Sequence, residues 1–191
     1  APAIPNTVTN MLSCFTGCES LTKAPVLPKG IIDICSCFYG CKSLVEIPAI
    51  PESIQRMHSC FKGCESLCEV PALPASVTGL FNCFSGCKSL KKAPAIPEHV
   101  TSMLRCFSGC KSLTEAPIIP AGVIDMYGCF ENCTSLTNVP NLPKGIVRIK
   151  DCFSGCTSLT AGSITVPASE LVNYQANASD AGSDPAWFKS E

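Results

Sequence analysis

The chain has 191 residues, a formal net charge of −1 and only 15% charged residues, so it has no field to gather nucleic acid or an anionic membrane surface. Its apolar runs fall far short of a membrane span, and no charged-then-apolar leader opens it, so Ala1 is expected to begin a mature or trimmed chain. With 46% hydrophobic residues it can bury a large core as one continuous domain.

A pair of cysteines in the form Cys-Phe-x-[Gly/Asn]-Cys recurs seven times. The first cysteines are Cys14, Cys37, Cys60, Cys83, Cys106, Cys129 and Cys152, each 23 residues after the last, and the second are Cys18, Cys41, Cys64, Cys87, Cys110, Cys133 and Cys156. A fixed period without an insertion implies stacked copies of one coil, since no copy can bury its apolar side alone.

Within a copy, taking Leu113 to Ser135 as the type and Leu113 as position 1, apolar residues fall at positions 1, 4, 7, 11, 14, 17, 18 and 21. The first half carries Pro-x-x-Pro six times: Pro25/Pro28, Pro48/Pro51, Pro71/Pro74, Pro94/Pro97, Pro117/Pro120 and Pro140/Pro143. Proline lacks an N–H, so only about three residues at positions 2 to 4 are expected to pair as parallel strand before the chain turns out in an extended path. The second half predicts a helix of one or two turns, because Val123, Met126, Cys129, Phe130 and Cys133 lie on one stripe. The glycine or asparagine before each second cysteine suits a left-handed helix end.

The copies run to about residue 160, giving a repeat region 1–160 and a non-repeat cap 161–191. In the cap, Ile164 and Val166 are expected to extend the strand edge, and Pro167 or Ser169 to start a helix through Leu171, Val172 and Tyr174. Gly182 to Pro185 should turn, and Trp187 and Phe188 fold back over the last coil.

The repeat, S-L-x-x-[AIV]-P-x-[LI]-P-x-x-[VI]-x-x-[MIL]-x-x-C-F-x-G-C-x-S-L, resembles the BspA-like subclass of bacterial leucine-rich repeats over roughly residues 7 to 160. Cysteine stands where that family usually has alanine before the phenylalanine, and the extra proline weakens the strand. The resemblance implies an α/β solenoid: a right-handed leucine-rich-repeat superhelix of about seven coils, with a narrow parallel sheet, short helices and a C-terminal cap. It also implies a secreted, cell-surface, adhesin-like module that binds a protein ligand, such as a host matrix protein, without catalysis.

The cysteine columns admit three readings: buried reduced ladders beside the phenylalanines, disulfides, or metal ligands. Packing is favoured. Seven members per column leave one unpaired, the phenylalanines fill the space a zinc ion needs, and Cys35 and Cys68 are not obvious partners. No cofactor or metal is expected. The two histidines, His58 and His99, read as surface residues, and no nucleophile or acid–base pair is apparent, so the chain is not read as an enzyme.

A solenoid presents each repeat position as a column, which suits an extended protein ligand. The candidate interaction face joins position 3, with Lys23, Glu46, Glu69, Lys92, Glu115 and Asn138, to position 6, with Ala49, Ala72, Ala95 and Ile118 flanked by Val26 and Asn141. The alternatives are a structural spacer within a larger surface protein, and a glycan-binding module using Lys88, Lys91, Lys92, Arg105 and Lys111. The expected oligomeric state is a monomer.

Overall fold

The computed structural model describes residues 4–191. The copies stack as a solenoid in which Phe15, Phe38, Phe61, Phe84, Phe107, Phe130 and Phe153 form a column of near-parallel rings, their centroids 5.4–6.1 Å apart. Around that column Leu67, Val77, Leu80, Val100, Met103 and Val123 are fully buried. Burial of this apolar surface, at about 25 cal/mol per Å², is what holds coil to coil.

The first coil departs from the expected burial. Phe15 stacks on Phe38 alone and is half-buried, and Cys14 and Cys18 are exposed, because among the described residues no coil covers their outer side.

The expected short helices do not form in the repeats; among the described residues the one α-helix lies in the C-terminal segment. The reason is a pair of left-handed residues in every coil. Ser13, Ser36, Ser59, Asn82, Arg105, Gly128 and Asp151 have φ of 50–58°, and Gly17, Gly40, Gly63, Gly86, Gly109, Asn132 and Gly155 have φ of 60–76°. A right-handed helix, which needs φ near −63° throughout, cannot run through both.

The chain makes overlapping turns instead. Cys37, Tyr39 and Cys41 donate their N–H groups three residues back, to Ile34, Ser36 and Phe38. The alternate residues Ile34, Ser36, Phe38 and Gly40 donate to Arg56, His58, Cys60 and Lys62 of the next coil at 2.7–2.9 Å. This alternation satisfies the backbone in both directions, within the coil and between coils.

The sheet is also more broken than expected. Near position 3 there are single parallel bridges, Lys23–Glu46, Glu115–Asn138 and Val139–Ile164. A second column at position 13 links Asn10–Asp33–Arg56 and Gly79–Ser102–Asp125–Arg148. Prolines at positions 5 and 8 withhold the donors that would widen the first ladder.

After the last coil, strand β1 (Ile164–Val166) pairs in parallel with β2 (Phe188–Ser190), Ile164 facing Phe188. A single 3-10 turn, Ala168–Glu170, leads into helix α1 (Leu171–Ala176). The turn at Gly182 (φ 68°) precedes a 3-10 turn at Pro185–Trp187, where Asp184 Oδ1 accepts the Ala186 N–H at 2.8 Å. Phe188 is buried, edge-on to Phe153 at 6.5 Å and against Tyr174 at 5.6 Å, while Trp187 is half-buried. The N–H groups of Asp151 and Phe153, which in earlier coils would donate onward, end on the carbonyls of Asp180 and Ala181 at 2.7 and 2.8 Å.

Candidate functional site

Side chains on the strip at positions 3 and 6 follow from the bridges near position 3 and the prolines that end them. Lys23, Glu46, Glu69, Lys92 and Glu115 are exposed and Asn138 is half-buried. Beyond them Ala49, Ala72 and Ala95 are exposed, and the larger Val26 and Ile118 are 76% and 75% exposed. Lys23 Nζ lies 2.6 Å from Glu46 Oε1, and Asn138 Nδ2 donates to Glu115 Oε1 at 3.2 Å. Being open to water, each such contact is worth less than about 1 kcal/mol.

Between those two contacts the position-3 bridges stop: among the described residues none joins Glu46, Glu69, Lys92 and Glu115 in sequence. Glu46 and Glu69 set like charges on neighbouring coils, which disfavours pairing. Three shallow cavities, of about 400, 360 and 330 Å³, open there and share Lys92 and Ala93. Together they make one groove from Glu69 to Pro120, with Pro94, Pro117 and Ile118 as apolar wall.

Of the five basic residues of copies four and five, two have acidic partners on the neighbouring coil. Lys88 pairs with Glu65 at 2.8 Å, and Arg105 pairs with Glu131 at 3.1 Å and covers the Tyr127 ring at 5.4 Å. Lys91 and Lys92 line the groove.

All sixteen cysteines are free thiols, and apart from Cys14, Cys18 and Cys68 they are buried. Their second column does more than fill space. Cys41, Cys64, Cys87, Cys110, Cys133 and Cys156 each direct Sγ at the carbonyl of the phenylalanine one coil back, at 3.0–3.2 Å. Burial pushes the Cys41 thiol up to about 11 and those of Cys37 and Cys156 to about 12. Such thiols are poor nucleophiles and poor metal ligands. Among the described residues no three His, Cys, Asp or Glu side chains converge as a metal site, and no helix is long and apolar enough to cross a membrane.

His99 is exposed, whereas His58 is not the surface residue expected. It is half-buried, edge-on to Phe81 at 6.4 Å, and its Nδ1 is buried without a hydrogen-bond partner. Burial first, and then Arg56, lower its pKa against the opposing pull of Asp33, so the ring stays neutral. It occupies the space over Gly79, where a Cβ would come within 3.1 Å of its Cε1. Cys35 is buried, and burial followed by a hydrogen bond with Asp33 raises its thiol pKa.

A further cavity, about 520 Å³, was not visible in the sequence because it depends on how the C-terminal segment packs. It lies between residues 145–150 of the last coil and the α1 side chains Asn173 and Tyr174, with Glu170, Asn177 and Asp180 completing the wall.

A model of the BspA type leucine-rich repeat region, in six copies, matches residues 9–127 and 82–178. Among solved structures, the leucine-rich repeat protein of T. pallidum is 30% identical over 80% of this chain and 72% of that one, with a TM-score of 0.68. A leucine-rich repeat protein from Bacteroides ovatus is 19% identical, covering 83% of this chain and 66% of its own, with a TM-score of 0.43. A leucine-rich cell surface protein from Faecalibacterium prausnitzii is 18% identical, covering 80% and 68%, with a TM-score of 0.38. A comparison with curated proteins gives no match. The unbroken 23-residue phase, the stacked phenylalanines, the family model and the likeness to the T. pallidum protein agree, and the chain belongs to the BspA-type leucine-rich repeat family.

Proposed function

We propose that the chain is a non-catalytic, adhesin-like module that binds a protein ligand outside the cell, across the groove from Glu69 to Pro120. The observation that carries this reading is the groove itself, three adjoining cavities floored by Ala93 and bordered by a 75% exposed Ile118. A weakly polar strip of this kind, rimmed by Lys92, Glu69 and Glu115, has the makeup of a contact surface. In this reading the solenoid has seven right-handed coils, the hand taken by nearly all parallel crossovers, over residues 1–160. Residues 161–191 act as a cap that keeps the last apolar layer from water, and the protein works as a monomer at the cell surface.

Capture of soluble host matrix proteins on immobilised protein tests it, with Ala95→Arg and Ile118→Glu as groove variants of unchanged melting temperature. Capture by the parent chain and its loss in both variants is the expected result. Equal capture by parent and variants would move the contact surface elsewhere, and no capture at all would favour a spacer.

A further inference from the structure

The position-13 ladder ends at Arg148, and among the described residues a donor and an acceptor flanking it lack a partner. In the preceding rungs one residue fills both roles: Arg148 donates its N–H to the Ile124 carbonyl at 3.1 Å and accepts the Met126 N–H at 2.7 Å. Asp125 does the same one coil earlier, donating to Thr101 at 3.4 Å and accepting from Met103 at 2.8 Å. One coil later the corresponding groups are the Val147 carbonyl and the Ile149 N–H, and among the described residues neither has a partner.

The cap does not close this rung. It prolongs the position-3 ladder through β1 and β2, and it takes the Asp151 and Phe153 donors with Asp180 and Ala181. Beside Val147 and Ile149 it leaves the cavity of about 520 Å³, within the roughly 300–1,000 Å³ of ligand pockets. Its far wall is the polar face of α1 and of the turn before it, with Glu170, Asn173 and Asn177.

We propose that this edge binds an extended peptide segment of a partner protein as one further parallel rung, with an acidic side chain beside Arg148. The spacing of one acceptor and one donor, two residues apart, fits the N–H and C=O of a single peptide residue, the pattern of strand addition. Along this column acid and base pair between coils: Asp33 with Arg56 at 3.5 Å and Asp125 with Arg148 at 3.1 Å. A carboxylate on the next rung would share with Asp125 the guanidinium of Arg148, whose side chain is 56% exposed, and Lys150, exposed at the cavity rim, adds a second cation. Glu170 and Asp180 on the opposite wall disfavour a second acidic residue in the segment. The site is separate from the groove at Ile118.

The test is a titration of the full ¹⁵N-labelled chain with an acetylated and amidated peptide, Ser-Val-Ser-Asp-Ser-Val-Ser, following the Ile149 amide. Expected results are a shifted Ile149 signal with slowed hydrogen exchange, and affinity weakened about tenfold when the aspartate nitrogen is methylated, the loss of one buried hydrogen bond. Arg148→Ala and Lys150→Ala should each weaken binding, while Ile118→Glu leaves it unchanged and so separates this site from the groove. An unmoved Ile149 amide at millimolar peptide would overturn the proposal, as would equal binding of the methylated peptide. So would an N-acetylglucosamine oligomer that shifts Ile149 where the peptide does not, since its acetamido group offers the same donor and acceptor.

Discussion

Cys87 Sγ donates a hydrogen bond to the main-chain carbonyl of Phe61, one coil back, at 3.2 Å. The same carbonyl accepts the Cys64 N–H, so the thiol uses its second lone pair and ties two coils together at an oxygen that, among the described residues, no backbone donor of a neighbouring coil reaches. Cys83, equally buried, makes no such side-chain bond among the described residues. Both lose a sulfur's packing when truncated, but only one loses a donor. Cys87→Ala should therefore cost about 0.5–1 kcal/mol more than Cys83→Ala. Urea midpoints of the two variants at equal m-value decide it, and equal midpoints would reduce the thiol bond to packing.

Thiol accessibility follows from the same burial. At pH 8 in native buffer, maleimide should modify Cys14, Cys18 and Cys68 and spare the rest, which lie inside the core. After denaturation without reductant, all sixteen should react. Mass spectrometry of the two samples checks this, and a denatured chain that still protects most of its cysteines would mean that disulfides join them.

The raised thiol pKa values also set an alkaline limit. In the unfolded chain a cysteine ionises near 9.0, whereas burial holds Cys41 at about 11 and Cys37 at about 12. The folded state thus keeps protons that the unfolded state releases, so the stabilisation is fully present below pH 9.0 and is lost as pH climbs toward those values. Each buried thiol contributes a slope of about 1.4 kcal/mol per pH unit, and several act together. Urea midpoints under reducing conditions should be nearly flat from about pH 7 to 8, begin to fall by about pH 9 and fall steeply by about pH 10. A flat profile to pH 11 would show that the columns are open to solvent.

The inward positions were legible because a 23-residue phase repeated seven times leaves no freedom in assigning them: Leu67, Val77, Cys83 and Phe84 face inward as read. The helix was misread for a physical reason. Spacings of three, three, one and three fit one helical stripe, but they fit equally a run of turns in which alternate residues bond to the next coil. The distinguishing signal was the column before the first cysteine. Ser13, Asn82, Gly128 and Asp151 are residues that visit the left-handed region or turns, and a helix would not select them there. The groove was half legible: its columns follow from the period, but the missing bridges between Glu46 and Glu115 do not, since the opposite charges of Glu69, Lys92 and Glu115 would favour pairing there. Nothing in the repeat foretold the cavity beside Ile149, which the non-repeating tail creates.

The phenylalanine column yields the sharpest stability contrast. Phe84 is fully buried, with Phe61 at 5.8 Å on one side and Phe107 at 5.5 Å on the other. Removing its ring leaves a cavity that coils tied on both sides by main-chain hydrogen bonds cannot collapse into, so Phe84→Ala should cost about 3–5 kcal/mol. Phe15 has one stacked neighbour, Phe38 at 5.4 Å, and is half-buried. Water already reaches its outer face and the end coil is free to relax, so Phe15→Ala should cost only about 1–2 kcal/mol. Denaturant unfolding of both variants checks the difference. Comparable losses would mean that the end coil is covered in solution as tightly as the centre.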